Sequence, residues 1–257
     1  MKSNTEIYKN LKLLEDYGTY LIEWIKLKVQ QANKKGVIVG ISGGIDSALV
    51  ACLAKKAFPE NSLGITMPIG NSMKLDFDDI AKLQKLTKLE IINIDLTLSY
   101  DALAKTLDVK NKLAKANIKP RLRMASLYAM AQEKDYLVLG TDNLDEWYLG
   151  YFTKYGDGGV DLLPISYLTK SEVISLAQIY KVDKGIIEKK PSAGLWENQE
   201  DEKELGYSYS EVDLFLRKKQ IDSQIATKIE KQHQMTEHKR QLASKPMDIV
   251  DFENKER

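Results

Sequence analysis

An apolar run, Val37 to Ile41, passes without a break into Ser42-Gly-Gly-Ile-Asp-Ser47 and from there into a helix-forming stretch, Ala48 to Ala57. That order of strand, glycine turn and helix constrains the fold more than any other feature of the chain. A helix N-terminus presents unpaired backbone N–H groups and a partial positive charge, and glycines let the backbone come close to an anion. Gly40, Ile41, Ser42, Gly43, Gly44, Ile45, Asp46 and Ser47 therefore read as a phosphate-shaped cradle, with the Ser42 and Ser47 hydroxyls as further donors. The stretch does not read G-x-x-x-x-G-K-[ST], so the lysine that such loops send to the phosphates is missing. Asp46 stands where a plain anion cradle avoids a carboxylate, which suggests a magnesium ion bridging it to phosphate oxygens.

Around this unit, helix-sized and strand-sized segments alternate. Residues 5–32 carry Leu11, Leu14, Tyr17, Leu21, Trp24, Ile25 and Val29 at three- and four-residue steps, the period of one helix face. After the strand Val37–Ile41 and a helix over 47–57 come Leu63–Met67, a helix over 76–88, Ile91–Ile94, helices across 97–134, and Leu137–Gly140. Strands separated by helices imply crossover connections, and so an α/β fold in which a doubly wound parallel sheet is flanked by helices. Ligands bind such sheets outside the carboxyl ends of the strands, where Ser42–Ser47 and Thr141–Asn143 both fall. Helices are expected at 170–180, 210–219 and 222–234. One domain over 1–246 is expected, with N-terminal helices 5–32, a parallel core 36–190 and C-terminal helices 210–240. The tail 247–257 should be poorly fixed. Trp196–Gly206 looks too polar to pack and is the candidate lid, to be protected from proteolysis by substrates.

Composition excludes several classes. The 38 basic residues nearly cancel the 37 acidic ones, giving a net charge of +1, so no global field draws the chain to nucleic acid. The single cysteine, Cys52, cannot form an internal disulfide, and its helical spacing from Ala48 places it on the sheet-facing side as a small buried hydrophobe. MKSNTEIYKN lacks the apolar core of a secretion signal, and no apolar run is long enough to cross a bilayer. A cytoplasmic protein without a membrane role is expected.

Four further segments carry chemistry. Thr141-Asp-Asn-Leu-Asp-Glu146 opens a helix at the sheet edge that holds Asp46, which makes Glu146 a second candidate magnesium ligand. Alternatively its acids only complement the helix dipole, at about 0.3–1 kcal/mol each. Phe152-Thr-Lys-Tyr-Gly-Asp-Gly-Gly-Val-Asp161 packs one lysine, two aspartates and three glycines between apolar runs, a density that suits a sharp turn or close approach to a ligand. Thr169-Lys-Ser-Glu172 reads as a capping box, which leaves Lys170 to reach a phosphate. Asn117-Ile-Lys-Pro-Arg-Leu-Arg-Met124 sets two arginines beside a proline expected to stop an ordinary helix, either for bidentate anion recognition or as surface charge. His233 and His238, five residues apart, do not share a helix face as a zinc pair would, and Met235–Arg240 could equally be a solvated charge run.

SGGIDS alone resembles the pyrophosphatase loop of the N-type ATP pyrophosphatases, which cleave ATP to AMP and pyrophosphate while adenylating a substrate. Together with NIKPRLRM, GTDNLDEWYLGYFTKYGDGGVDLLP, LTK, KKPSAGLW, DEKELGYSY and MTEHKR in this order, it resembles the ammonia-dependent NAD synthetases over nearly the whole chain, from about Asn4 to Lys239. That resemblance implies a fold of the adenine nucleotide alpha hydrolase kind and a two-step reaction. The nicotinate carboxylate of deamido-NAD attacks the α-phosphate of ATP, and ammonia then displaces AMP from the acyl adenylate to leave NAD. By position, it implies that Gly40–Ser47, Thr141, Lys170 and Ser192 bind ATP and that Asp46 and Glu146 hold Mg2+. It assigns Arg121, Lys154, Asp161, His238 and Lys239 to deamido-NAD, across a homodimer interface. Asp157 is the expected neighbour of the incoming ammonia, and Asp157 and Lys170 are the expected catalytic groups.

Glutamine-using relatives carry a large N-terminal amidase domain with its own cysteine nucleophile. Only about 35 residues precede the first strand here, and Cys52 is in the wrong place for that role, so ammonium is the expected nitrogen source. Two rival readings remain at this point. A tRNA-modifying enzyme with the same loop would be expected to bring a basic patch, which the net charge disfavours. A non-catalytic nucleotide-binding module is disfavoured by the presence of both Asp46 and Glu146.

Overall fold

The computed structural model describes residues 10–70, 77–192 and 200–255. Four strands, β1 (Gly36–Gly40), β2 (Ser62–Thr66), β3 (Glu90–Asn93) and β4 (Tyr136–Leu139), form one parallel sheet in the order β3-β2-β1-β4. The chain thus builds outward from β1 to β3, then crosses to the far side of β1 for β4. That reversal makes the sheet doubly wound and puts the loops after β1 and β4 side by side.

Side-chain alternation along β1 explains the two layers. Val37 and Val39 belong to one core with the helices α1 (Leu11–Gln31), α2 (Ile45–Ala57) and α7 (Lys170–Ile179), while Ile38 belongs to a second. That second core includes Ile65, Val138, Leu127 and Ala131, the last two on α5 (Lys112–Lys134). All are strand or helix positions with one fully apolar face, as a sheet covered on both sides requires. On α1 the stripe Leu14, Gly18, Leu21, Ile25 and Val29 is buried, and Asn10 caps the helix by accepting from the Leu13 amide at 3.0 Å. Leu11, expected on that stripe, is instead exposed.

The expected elements differ from the observed ones mainly at their ends, and residues 5–9 and 76 of the expected helices lie outside the described residues. Helix α3 spans Phe77–Thr87, α4 Thr97–Leu107 and α6 Leu144–Leu149. Short α8 (Lys184–Ile187) and α9 (Asp201–Leu205) precede α10 (Tyr209–Leu216), α11 (Ser223–Met235), α12 (Glu237–Arg240) and α13 (Ile249–Lys255). The tail therefore holds a helix, although none of its residues is buried.

Two expectations are corrected. Pro120 does not stop a helix: it lies buried inside α5. An interior proline costs about 3 kcal/mol, but α5 is anchored on both sides of it by Ala116, Ile118, Leu127 and Ala131. The second concerns the polar lid, of which residues 196–199 lie outside the described residues. At Asp201 the segment does pack: that residue is buried and the Tyr151 and Tyr209 hydroxyls donate to it at 3.2 Å each, while Glu202, Lys203, Glu204 and Gly206 are exposed. Tyr151 packs against a third apolar cluster, Leu149, Tyr207, Val212 and Ile229, that ties α6 to the C-terminal helices. Hydrogen-bonding tyrosines turn a polar segment into a packable one.

Cys52 is buried in the first core, and burial pushes its thiol up to about 12. The native protein should therefore resist Ellman's reagent at about pH 8 and react in full once denatured. Stoichiometric labelling of the native protein would contradict this packing.

Candidate active site

The first loop has the shape its sequence implies. Gly43 adopts φ 81°, a left-handed conformation that a residue with Cβ rarely takes, and turns the chain from β1 into α2. Ser47 Oγ accepts from the Ser42 amide at 3.2 Å and donates to the Gly44 carbonyl at 3.0 Å, so the two serines close the loop on itself. The N-cap residue is Gly44, which has no side chain to satisfy the amides of the first turn of α2.

Asp46 stands in that first turn, and three elements meet at its carboxylate. The Lys170 ammonium, at the start of α7, lies 2.6 Å from Asp46 Oδ2 and 3.2 Å from Glu146 Oε1 on α6. Asn143 donates from Nδ2 to Asp46 Oδ1 at 2.9 Å, while its Oδ1 accepts from the Asp145 and Glu146 amides at 3.0 Å each. Asn143 thus caps α6 and locks the two loops together with one amide group. Burial alone would lower the Lys170 pKa, but the Asp46 and Glu146 charges raise it above the ordinary lysine range. Lys170 is a fixed cation. Burial pushes Glu146 up to about 7, with Lys170 pulling down and Asp46 pushing up.

The start of α7 is held by acids rather than left for an anion. Lys170 N donates to Asp145 Oδ2 at 3.3 Å and to Asp213 Oδ1 at 3.2 Å, and Ser171 N donates to Asp213 Oδ2 at 3.0 Å. Glu172 completes the expected capping box by accepting from Thr169 N at 2.9 Å. Burial, and next the Asp213 charge, push Asp145 well above the carboxylate range. Asp142, between Thr141 and Asn143, is also pushed well above it, by burial and then by the charges of Asp157, Glu146 and Asp46.

A second group of residues lies around the loop between α6 and the short bridge at Leu162. Arg121 Nη2 donates to the Lys154 carbonyl at 3.3 Å, and Lys154 Nζ donates to the His238 carbonyl at 2.5 Å. Lys239 Nζ donates to the carbonyls of Gly150 and Phe152 at 2.7 and 2.9 Å and sits 5.7 Å from the Phe152 ring centre. Asp157 Oδ1 accepts from Thr153 N at 3.0 Å, and the residue keeps a solvent-exposed surface although protein crowding raises its pKa. The glycines of this loop serve packing. A Cβ on Gly158 would lie 2.4 Å from the Phe152 ring, and one on Gly156 would lie 3.0 Å from Pro120, so the loop folds tightly on itself and on α5.

The structure therefore brings Asp46, Glu146 and Lys170 to one point, and Arg121, Lys154, Asp157, His238 and Lys239 to an adjoining face. Thr141 lies at the end of β4 beside the first group, and Ser192 lies exposed next to residues outside the described set. Asp161 is held at the edge of the sheet: its Oδ2 accepts from Val138 N at 2.8 Å and its Oδ1 from the Tyr128 hydroxyl at 3.0 Å, which covers the outer edge of β4. Asn143, Asp145 and Asp213 were not singled out from sequence as site residues. An N-x-x-E pattern at 143–146 carried a signal for Asn143, but nothing local connects Asp213 to Lys170. Arg240, read as possible solvated charge, is instead anchored through Nη1 to the Tyr148 carbonyl at 2.9 Å.

A magnesium ion fits the first group as a half-site. Asp46 and Glu146 converge on a position that a cation, the Lys170 ammonium, already occupies. Two carboxylates are what a hard divalent ion takes when phosphate oxygens and water complete its shell. Among the described residues, no group of three or more His, Cys, Asp or Glu is placed to hold a metal by itself.

Comparison with known proteins agrees with this arrangement. The NAD synthase family profile matches residues 17–243. The chain is 47% identical over 242 residues to the NH(3)-dependent NAD(+) synthetase of Mesoplasma florum, covering 92% of this chain and 98% of that one. A solved NMN synthetase from Francisella tularensis superposes with a TM-score of 0.86 at 40% identity, covering 91% of this chain and 98% of that one. The NH3-dependent NAD synthetase from Campylobacter jejuni, solved with a nitrate ion, superposes with a TM-score of 0.77 at 29% identity, covering 91% and 99%. A match that spans the sheet, both edge loops and the C-terminal helices leaves one conclusion: the chain belongs to the NAD synthase family.

Proposed function

We propose that the crevice at the β1 and β4 loops joins ammonia to deamido-NAD at the expense of ATP, by way of an acyl adenylate, to give NAD, AMP and pyrophosphate. The observation that carries this is the meeting of Asp46, Glu146 and Lys170 beside the glycine cradle, with the basic face of Arg121, Lys154, His238 and Lys239 next to it. Two anionic substrates have to be aligned and the charge of departing pyrophosphate neutralised, and no nucleophilic side chain is needed. The cradle amides of Gly40–Ser47 bind phosphate, and Lys170 supplies the positive charge missing from the loop itself. Asp46 and Glu146 would hold the magnesium ion that travels with ATP, whose contribution when bound is further charge neutralisation at the phosphates. Lys170 then turns from the two carboxylates toward phosphate oxygens.

The basic face orients deamido-NAD, whose carboxylate oxygen bonds to the α-phosphorus as the bond to pyrophosphate breaks. Ammonium gives up one proton before its lone pair attacks the acyl carbon. The C–N bond forms, the C–O bond to AMP breaks with its electron pair leaving on AMP, and the nitrogen loses a second proton to become the amide. Asp157, accessible and raised in pKa, is placed to accept a proton at a carboxylate oxygen. The likeness to an NMN synthetase favours a second reading at the same site, in which the acid is nicotinate mononucleotide. Both acids present the same carboxylate and differ only in the adenylate half.

A second copy of the chain is part of this reading. Helix α4 has no buried residue, and Leu98, Leu103 and Leu107 on it are exposed, as is Leu113 on the next helix. Exposed apolar side chains on a helix that buries none of its residues support a homodimer. Among the described residues no helix is long and apolar enough to cross a membrane.

With Mg2+, ATP and ammonium, the protein should convert deamido-NAD to NAD with one AMP per turn, read by chromatography. ADP as product, or no turnover, would contradict the assignment, and faster turnover of nicotinate mononucleotide would select the second reading. Asp46→Ala should lower ATP–pyrophosphate exchange by roughly 10²- to 10³-fold while circular dichroism stays native. Exchange at the wild-type rate would remove Asp46 from the phosphate site. Light scattering should give twice the chain mass for the wild type and a monomer for L98E/L107E. A variant that stays dimeric would place the interface elsewhere.

A further inference from the structure

Helix α10 grips the start of α7 along one edge. Tyr209 and Asp213 stand one turn apart on it, and Arg217 follows a further turn on, just past its end. Arg217 Nε donates to Glu172 Oε1 at 2.9 Å, and Asp213 accepts from the Lys170 and Ser171 amides at 3.2 and 3.0 Å. The backbone of Lys170 is thereby fixed from behind. Tyr209 meets the other end of the same residue: the Lys170 ammonium sits over its ring, 5.2 Å from the ring centre. The tyrosine is itself held, since its hydroxyl donates to Asp201 Oδ2 at 3.2 Å and its amide to Glu202 Oε1 at 2.9 Å. At 3% exposure it also keeps water from that side of the ammonium. Burial, and next the Glu146 charge, push its hydroxyl well above the ordinary tyrosine range, so the ring stays neutral beside the lysine.

The charge of Lys170 is already balanced by Asp46 and Glu146, 2.6 and 3.2 Å away, so the ring is not needed for neutrality. A ring face differs from those acids in attracting a cation without a lone pair that points at it. A carboxylate holds an ammonium at one oxygen, whereas a π-face leaves it free to swing across. That difference matters for a lysine whose ammonium has to turn from two acids toward phosphate while its backbone stays in place. We propose that Tyr209 is a positioning residue for Lys170: its ring face holds the ammonium through that turn and keeps it directed at the phosphates as pyrophosphate departs. The inference rests on the adenylating reading above, in which Lys170 serves the phosphates, and adds the residue that steers it. It also gives the burial of Asp201 a role, since Asp201 and Glu202 fix the tyrosine that faces the lysine.

Tyr209→Phe keeps the ring face, and Tyr209→3,4,5-trifluorophenylalanine keeps nearly the same shape while emptying that face of its negative potential. ATP–pyrophosphate exchange is measured with saturating deamido-NAD and no ammonium. The Phe variant should keep kcat within about threefold of wild type, and the fluorinated one should fall roughly three- to thirtyfold below it, with the ATP KM little changed. In a Lys170→Met background the two rings should give equal rates, because the fluorine then has no ammonium to act on. Equal rates with Lys170 present overturn the proposal, and so does the same fall in both backgrounds, which a merely structural ring would give. A rise in the ATP KM with kcat unchanged also overturns it, as does loss of the native circular dichroism signal in either ring variant. A wild-type protein without deamido-NAD-dependent exchange would instead defeat the reading on which the inference stands, so the two failures are told apart.

Discussion

The site is organised by one buried cation. Lys170 is 124 residues from Asp46 and 24 from Glu146, yet its ammonium joins both carboxylates with a side chain only 6% exposed. Removing one partner of a buried ion pair costs about 3–5 kcal/mol, because the remaining charge is left without compensation. That penalty holds three elements in register: the turn from β1 into α2, the start of α6 and the start of α7. Asn143 and Asp213 hold the same three from behind, one through a side-chain amide and the other through the first amides of α7. A phosphate-binding loop on a single strand-to-helix turn would have backbone dipoles alone. Here it also has a lysine whose charge is guaranteed by its neighbours.

This arrangement depends on the sheet order. Because β4 lies beside β1 rather than beyond β3, the loops after these two strands leave the same edge. The acids on those loops then crowd, and burial with mutual repulsion raises the pKa values of Asp142, Asp145 and Glu146 together. Like charges gathered in a closed space are unstable by themselves, and cations bring them to balance. One cation is built in as Lys170.

Much of this was legible in the chain. The three- and four-residue steps of α1, the apolar strand segments and the glycine turn into α2 gave elements within a few residues of those observed, because local periodicity is set by backbone geometry. Asp46, Glu146 and Lys170 were each singled out by the motifs that carry them, and the fold brings the three together. The errors came where long-range packing reversed a local rule. Pro120 stays inside a helix because the residues around it are anchored in the core, and Asp201 of the polar segment is buried because Tyr151 and Tyr209 supply donors from elsewhere. The glycines at 156 and 158 suggested a ligand approaching the backbone, whereas they let Pro120 and Phe152 approach it.

By itself, the sequence determined the parallel α/β architecture, the glycine cradle and the residue types of an adenylating site, since each follows from spacing along a few consecutive residues. Tertiary structure alone decided that Lys170 pairs with both Asp46 and Glu146, that Asp161 accepts from Val138 N and the Tyr128 hydroxyl, and that Asp142 is buried with an oxygen left over. The physical reason is the same in all three cases. A charge takes its role from what lies within a few ångströms of it and from how much water it keeps, and both are set by parts of the chain far away in sequence.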